Sequence, residues 1–242
     1  MLEAINDRIP QEVSWCLNGL SKEALEKIHV AVLDLLQNTG IKVENNERAL
    51  EIFYSGGAEI ERHDGYGIAK IPGGIVLDCV DKASNEVMLY GRAEGNEYEL
   101  KPESVTFTTF GEMIQIIDPE TREVRKTTLK DVADISRLCD YFSEVAVVQR
   151  AVAALDKPME TYPIFNAQSM FENTGKHILI GPVNATNFKT IAKIAATHAG
   201  GMSELAKRPV FTTLTCPTSP FVLEENCADL IIESALLPGG GY

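Results

Sequence analysis

Residues 211–221 read "FTTLTCPTSPF", from Phe211 to Phe221. The first half is β-branched and apolar, which suits a buried strand. The second half holds two prolines, a cysteine and small hydroxyl residues, which suits a rigid turn. A buried strand that ends so abruptly in a polar elbow is expected to end on the working face of an α/β barrel, where the βα loops collect.

The segments around this stretch repeat its rhythm from Ser104 onward. SVTFTTF is a strand, followed by a hairpin MIQIIDPETREVRKTT with Asp118-Pro119 at its turn. TLKDVADISRLCDYF is a capped helix with apolar Val132, Ile135, Leu138 and Phe142. Then VAVVQ, KHILIG and RPVFTTLT read as strands. PMETYPIFNAQSMFENT, NATNFKTIAKIAATHAG and SPFVLEENCADLIIESALL read as the helices that follow them. Continuous apolar strands separated by helices are the pattern of a parallel sheet covered on its faces. No GxGxxG follows the first strand and no GxxxxGK precedes a Ser or Thr, which disfavours dinucleotide and P-loop folds. The expected fold is α/β, the N-terminal part of a TIM-type (β/α)8 barrel preceded by a small mixed α/β portion. The expected domains are residues 1–103 and residues 104–242. A closed barrel needs eight strands, and about four are counted before the chain stops at LLPGGGY, so a truncated first half is expected.

The opening portion lacks that alternation. Ser21 is the expected N-cap of a helix in which Leu25, Ile28, Val32, Leu35 and Leu36 recur at helical spacing and which Gly40 stops. His29 lies among the core-facing positions of that helix and reads as structural. Short strands IKVE, GAEIE, VMLYGR and NEYELKP follow, with short helices in NNERALEIFYSGG and AKIPGGIVLDCVDKAS. His63 falls in the turn HDGYG, where a solvated loop histidine is expected.

Composition excludes several functions. The chain has 242 residues, 45% hydrophobic and 24% charged, with a formal net charge of −13. Nucleic acid and anionic lipid call for basic patches, and no basic cluster longer than a pair or so is present. Neither partner is expected. Five cysteines (Cys16, Cys79, Cys139, Cys216, Cys227) are widely spaced without a CxxC, so reduced thiols are expected. No metal-ligand spacing occurs. Glu3 and Asp7 stand where a secretory signal would be basic and then apolar. No window approaches the ~20 apolar residues of a membrane span. A cytoplasmic protein is expected.

The barrel rule selects candidates at the strand ends: Phe110, Gly111 and Glu112 after the first strand, Gln149 and Arg150 after the second, Gly181, Pro182 and Asn184 after the third, and Cys216, Thr218 and Ser219 after the fourth. Glu112 could act as acid or base, hold a cation, or cap a loop. Arg150 could grip a phosphate or carboxylate, or form a salt bridge across the mouth. Cys216 could be a thiolate, but a strand-end cysteine reads first as a small buried hydrophobe. His177 begins a strand, on the opposite face, and His198 ends a helix; neither reads as catalytic. The expected substrate-binding set is Phe110, Glu112, Gln149, Arg150, Cys216 and Ser219, with no catalytic residue assigned.

The stretch "VTFTTFGEMIQIIDPETREVRKTTLKDVADISRLCDYF" resembles the corrinoid-dependent trimethylamine methyltransferase family. The resemblance lies in a glycine-containing loop, a short hairpin, and the helix pattern Thr128-Leu129-Lys130-Asp131-Val132-Ala133-Asp134-Ile135-Ser136-Arg137-Leu138. It continues in Cys216-Pro217-Thr218-Ser219-Pro220-Phe221, where the family has Leu in place of Phe221, in the pattern from Leu25 through His29 and Gly40 to Val43, and in Gly91-Arg92. The resemblance implies a barrel enzyme. Such an enzyme moves a methyl group from a small methylated amine, of the trimethylamine or glycine betaine type, to the Co(I) of a corrinoid (cobalamin) carried by a cognate partner protein. No cofactor bound directly by this chain is expected. Family members are about twice as long, and the missing half would include the pyrrolysine position of the trimethylamine-specific members. Turnover by this chain alone is therefore not expected. The alternative is a non-catalytic half barrel whose unpaired sheet edges lead it to form a homo-oligomer or bind another protein.

Overall fold

A computed structural model describes residues 19–102 and 104–238. The N-terminal stretch with Cys16, and the glycines before Tyr242, lie outside the described residues. The chain is mixed α/β, with helices and with both parallel and antiparallel strands, and divides into two compact units.

The first unit takes residues up to 87, a short stretch around 100–104, and residues 217–228. Helix α1 (Lys22–Asp34) starts where Ser21 Oγ accepts from the Ala24 N–H at 3.2 Å. It widens into a π-helical turn, Leu35–Thr39, that Gly40 closes. Gly40 has φ +78°, and a Cβ there would meet the Ala69 carbonyl oxygen at 2.7 Å, so only glycine fits. Next come β1 (Ile41–Glu44), α2 (Glu47–Ser55) capped by Asn46, β2 (Glu59–His63), β3 (Tyr66–Lys70) and α3 (Gly73–Lys82). β3 pairs antiparallel with both β1 and β2. Val43, Ala49, Leu50 and Ala69 form the buried centre.

Two features of this unit differ from the sequence reading. The apolar positions of α1 are not core: none of its residues is buried, and Leu25, Ile28, Val32 and Leu35 remain 39%, 50%, 44% and 39% exposed. The helix docks along a neighbouring arc instead, with Leu33 over Gly73 and the Leu36 carbonyl accepting from the Ile71 N–H. The last helix also begins later than Ser219. Phe221 takes a positive φ, and a two-residue strand β12 (Val222–Leu223) pairs parallel with β1 before the final helix opens at Glu225.

The second unit is built around a parallel sheet. The hairpin β4 (Val87–Tyr90) and β5 (Glu97–Leu100), most of which belongs here, is followed by β6 (Phe107–Thr108) and the hairpin β7 (Gln115–Ile117) and β8 (Val124–Lys126). Asp118 caps that hairpin turn, accepting from the N–H groups of Glu120 and Thr121 at 3.0 Å each. Then α4 (Leu129–Tyr141), β9 (Val145–Gln149), α5 (Tyr162–Asn173), β10 (His177–Ile180), α6 (Ala185–Ala199), α7 (Met202–Lys207), β11 (Phe211–Thr213) and α8 (Glu225–Leu236) alternate. A complete capping box of Thr128 and Asp131 opens α4. The sheet order is β6-β9-β10-β11, every pair parallel. Among the described residues the sheet does not close into a barrel.

Register fixes its core. Val148 pairs with Ile178, and Ile178 with Phe211. All three are at most 1% exposed and pack with Phe171, Phe188, Ile191 and Ala195 of α5 and α6. At the strand beginnings, Lys176 reaches across to the C-terminus of α4, donating to the Cys139 carbonyl at 2.9 Å and to that of Phe142. The β4–β5 hairpin meets the same end: a Cβ on Gly91 would lie 2.5 Å from the Gly175 carbonyl oxygen, so this approach needs glycine. His177 locks it. Its Nδ1 lies 3.0 Å from the Tyr90 carbonyl, which can only accept, so Nδ1 carries the proton and Nε2 accepts from Thr212 Oγ1 at 2.9 Å.

Burial lowers the His177 pKa from 6.5 to about 4. The unfolded chain therefore binds the extra proton first. Stability contributed by the neutral histidine is complete above about pH 6.5 and lost as pH falls toward 4, by on the order of 3 kcal/mol. Urea titrations at stepped pH check this. The His177→Gln variant should show a clearly flatter dependence across that window, the remaining slope including His198, which burial also depresses. Equal slopes for both proteins would contradict it.

Candidate active site

The C-terminal ends of β6, β9 and β10 come level in the second unit. The ladder continues past the strands: Met113 N–H donates to the Ala151 carbonyl at 2.9 Å, Ala153 N–H to Met113 at 3.0 Å, and Arg150 N–H to Leu179 at 3.3 Å. These bonds hold the loop after β6 beside the end of β9. Gly111, at φ +124°, turns that loop so that Glu112 faces Arg150.

Arg150 is the hub. Its Nη2 meets Glu112 Oε2 at 2.5 Å, and its Nη1 donates to the Gly181 carbonyl at 3.0 Å. Its guanidinium carbon lies 5.7 Å from the centre of the Tyr162 ring, within range of a cation–π contact. The side chains of Arg150 and Glu112 are 11% and 25% exposed. Glu112 Oε1 and Arg150 Nε are buried and have no hydrogen-bond partner among the described residues. The Tyr162 phenol is pushed above its usual range by burial first and by the Glu112 charge second, with Arg150 opposing. It is held as the neutral, proton-bearing form.

The six sequence candidates divide. Glu112 and Arg150 meet, as the ion pair that was one of the readings for Arg150. Gln149 is buried directly before Arg150, and its carbonyl accepts from Thr109 Oγ1. Phe110 is 82% exposed at the end of the β6 loop. Cys216 is an exposed free thiol beyond β11, not a buried hydrophobe. Ser219 lies in the first unit, exposed, before Pro220 in a cis peptide bond. Tyr162 and Gly181 complete the cluster. Gly181 stands at a strand end in the sequence, whereas Tyr162 falls inside a helical stretch. Its signal is its place as the first residue of the helix following β9. Among the described residues no group of three or more His, Cys, Asp or Glu converges as a metal site, and no helix is long and apolar enough to cross a membrane.

A charge pair this enclosed and incompletely bonded stabilises little, yet removing one partner leaves the other buried alone. Arg150→Met should cost about 2–4 kcal/mol in urea unfolding. Glu112→Gln combined with Arg150→Met should recover most of that loss. A double variant as unstable as the single one would show that the pair is not the source.

The family model for trimethylamine methyltransferase (MTTB) matches residues 4–236. Trimethylamine methyltransferase MttB of Desulfitobacterium hafniense is 42% identical over 219 residues, 90% of this chain and 44% of that protein. The MttB proteins of Methanosarcina thermophila and Methanosarcina barkeri are 31% and 30% identical, over 91% and 90% of this chain and 46% and 45% of theirs. The chain thus spans less than half the length of the curated relatives it matches, and with a family match running through nearly all of it, it belongs to the trimethylamine methyltransferase family.

Proposed function

We propose that this chain carries part of the amine-binding apparatus of a methyltransferase acting on a methylated amine of the trimethylamine or glycine betaine type. The observation that carries the proposal is the 42% identity over 90% of the chain to a trimethylamine methyltransferase. The site chemistry supports it. A methylammonium head is drawn to carboxylates and aromatic faces, and Glu112, Tyr162 and Phe110 supply both at neighbouring strand ends. Arg150 acts on Glu112: held by Gly181, it fixes where the carboxylate points. A substrate of the glycine betaine type, bearing a carboxylate as well, would meet the guanidinium with its anionic end.

The reaction class is methyl transfer to the Co(I) of a corrinoid carried by a separate protein. The C–N bond breaks, its electron pair returns to the amine nitrogen, and the methyl carbon bonds to cobalt. The acceptor belongs to that partner, so the task of this chain is to hold the ammonium still and present its methyl group.

The same reading extends to the fold. The order β6-β9-β10-β11 runs one way without reversal, as in consecutive strands of a (β/α)8 barrel. β6 pairs with β9 alone among the described strands, and Val105 and Phe107 at that edge are 83% and 64% exposed. Such an edge is suited to receiving another strand.

The test is the loss of cob(I)alamin absorbance with trimethylamine or glycine betaine. A chain extended to the length of its relatives should turn over one of them, and the 242 residues alone should turn over neither. In the extended chain Glu112→Gln should lower kcat/KM about 10–100-fold. Absence of turnover with either amine would overturn the reading.

A further inference from the structure

The Glu112–Arg150 pair depends on bonds made away from it. Each member is followed at once by a fastened peptide: Met113 N–H donates to the Ala151 carbonyl at 2.9 Å, and Ala153 N–H returns to the Met113 carbonyl at 3.0 Å. Thr127, which is 0% exposed, closes the same junction. Its N–H donates to the Ile114 carbonyl at 3.3 Å, and its own carbonyl accepts from the Leu155 N–H at 3.2 Å. Whatever places Thr127 therefore also places Glu112.

Thr127 lies between the β7–β8 hairpin and α4. The helix is a fixed base, because Val132 and Cys139 pack into the core of the sheet. The hairpin has no such anchor. No residue of either strand is buried, and Ile117 and Val124 are 62% and 64% exposed. A two-stranded hairpin is marginal in water by itself, so its position has to come from polar fastening. Arg125 of β8 supplies it. Its Nη1 and Nη2 fork onto Oδ2 and Oδ1 of Asp131 in α4, at 2.8 and 2.7 Å. Its Nε donates to Asp118 Oδ2 in the hairpin turn at 2.8 Å. Asp131 keeps its capping bonds to the Thr128 N–H and hydroxyl at the same time. The guanidinium holds both carboxyls below their usual range, so all three groups stay ionised at neutral pH.

We propose that Arg125 is a positioning residue for Glu112. Its fork onto Asp131 seats the hairpin on α4, and the seated hairpin, through Thr127 and Met113, holds the Glu112 carboxylate against Arg150. Arg125 forms a hydrogen bond with neither member of the pair. Its part in turnover rests on the methyltransferase reading, whereas its coupling to the pair does not. If Arg125 served the hairpin alone, its loss and that of Arg150 would add, because the two share no partner.

Urea unfolding of the 242-residue chain tests the coupling. Arg150→Met strands the Glu112 carboxylate in its seat. With the fork cut by Arg125→Met, the hairpin can move and that carboxylate can reach water. The effect of Arg150→Met on the unfolding equilibrium constant should then be about ten-fold smaller than in the unaltered chain. Should Arg125→Met fail to fold, Asp118→Asn takes its place in the cycle: it loosens the guanidinium, leaves the capping box intact and should give relief in the same direction. Equal effects of Arg150→Met in both backgrounds would overturn the proposal. In a chain extended to the length of its relatives, Arg125→Met should lower kcat/KM about ten-fold, and no further once Glu112→Gln is present. A general weakening of the fold would lower it by the same factor in both, and that result too would overturn the proposal. An extended chain that turns over neither amine would instead sink the methyltransferase reading, and the unfolding cycle would still decide the role of Arg125.

Discussion

The second unit depends on the register of its parallel ladder. Once Val148, Ile178 and Phe211 stand in one row against α5 and α6, the pleat turns Gln149, Leu179 and Thr212 to the other face. The next residues then leave the sheet together, and Arg150 and Gly181 emerge as neighbours although they are 31 residues apart in the chain. A slip of one residue would bury Gln149 among the phenylalanines and turn Ile178 away from the helices. The same apolar row that stabilises the sheet therefore delivers a guanidinium to a carbonyl and a carboxylate at the strand ends. At the other end it sets His177 between Thr212 and the β4–β5 hairpin.

The two ends of the sheet treat charge differently. At the strand beginnings the buried polar groups are well bonded: Lys176 caps α4, and both nitrogens of His177 have partners. At the strand ends, Glu112 and Arg150 each keep one buried polar atom without a partner. A fold selected only for stability would replace such a pair with apolar side chains of similar volume. Buried polar atoms left without a partner where the loops after β6, β9 and β10 meet suit a site under functional constraint. The proton-bearing Tyr162 beside it adds a neutral hydroxyl and an aromatic face to a place already holding both charges.

Much of the parallel unit was legible in the sequence because its signals are local. Val145–Val148 and Ile178–Ile180 are uninterrupted apolar runs, Thr128 and Asp131 spell a capping box, and Asp118-Pro119 announces a turn. What was not legible depends on distance along the chain. The Glu112–Arg150 bond spans 38 residues, and a lone carboxylate and a lone arginine at strand ends permit a salt bridge and a ligand grip equally. Tyr162 looks like any first residue of a helix until the end of β9 places Arg150 over its ring. β12 is too short for alternation to register, and only pairing with β1 makes it a strand. The stripe on α1 was visible as periodicity, but periodicity reports that a surface is apolar, not which body covers it.

The electrostatics join these parts to the proposed chemistry. A formal charge of −13 produces a negative field that raises the local concentration of cations and repels anions. A field of that sign suits an ammonium substrate, but it is diffuse and screened beyond about 8 Å at physiological salt. It cannot orient a methyl group. Orientation has to come from fixed groups close at hand, and the Glu112 carboxylate, immobilised by Arg150 and Gly181, is of that kind. On this view the overall charge governs arrival and the ion pair governs pose. Under the proposed function the two would be separable: removing surface carboxylates far from Arg150 would change capture and its salt dependence, whereas altering Glu112 would change the geometry from which a methyl group could leave.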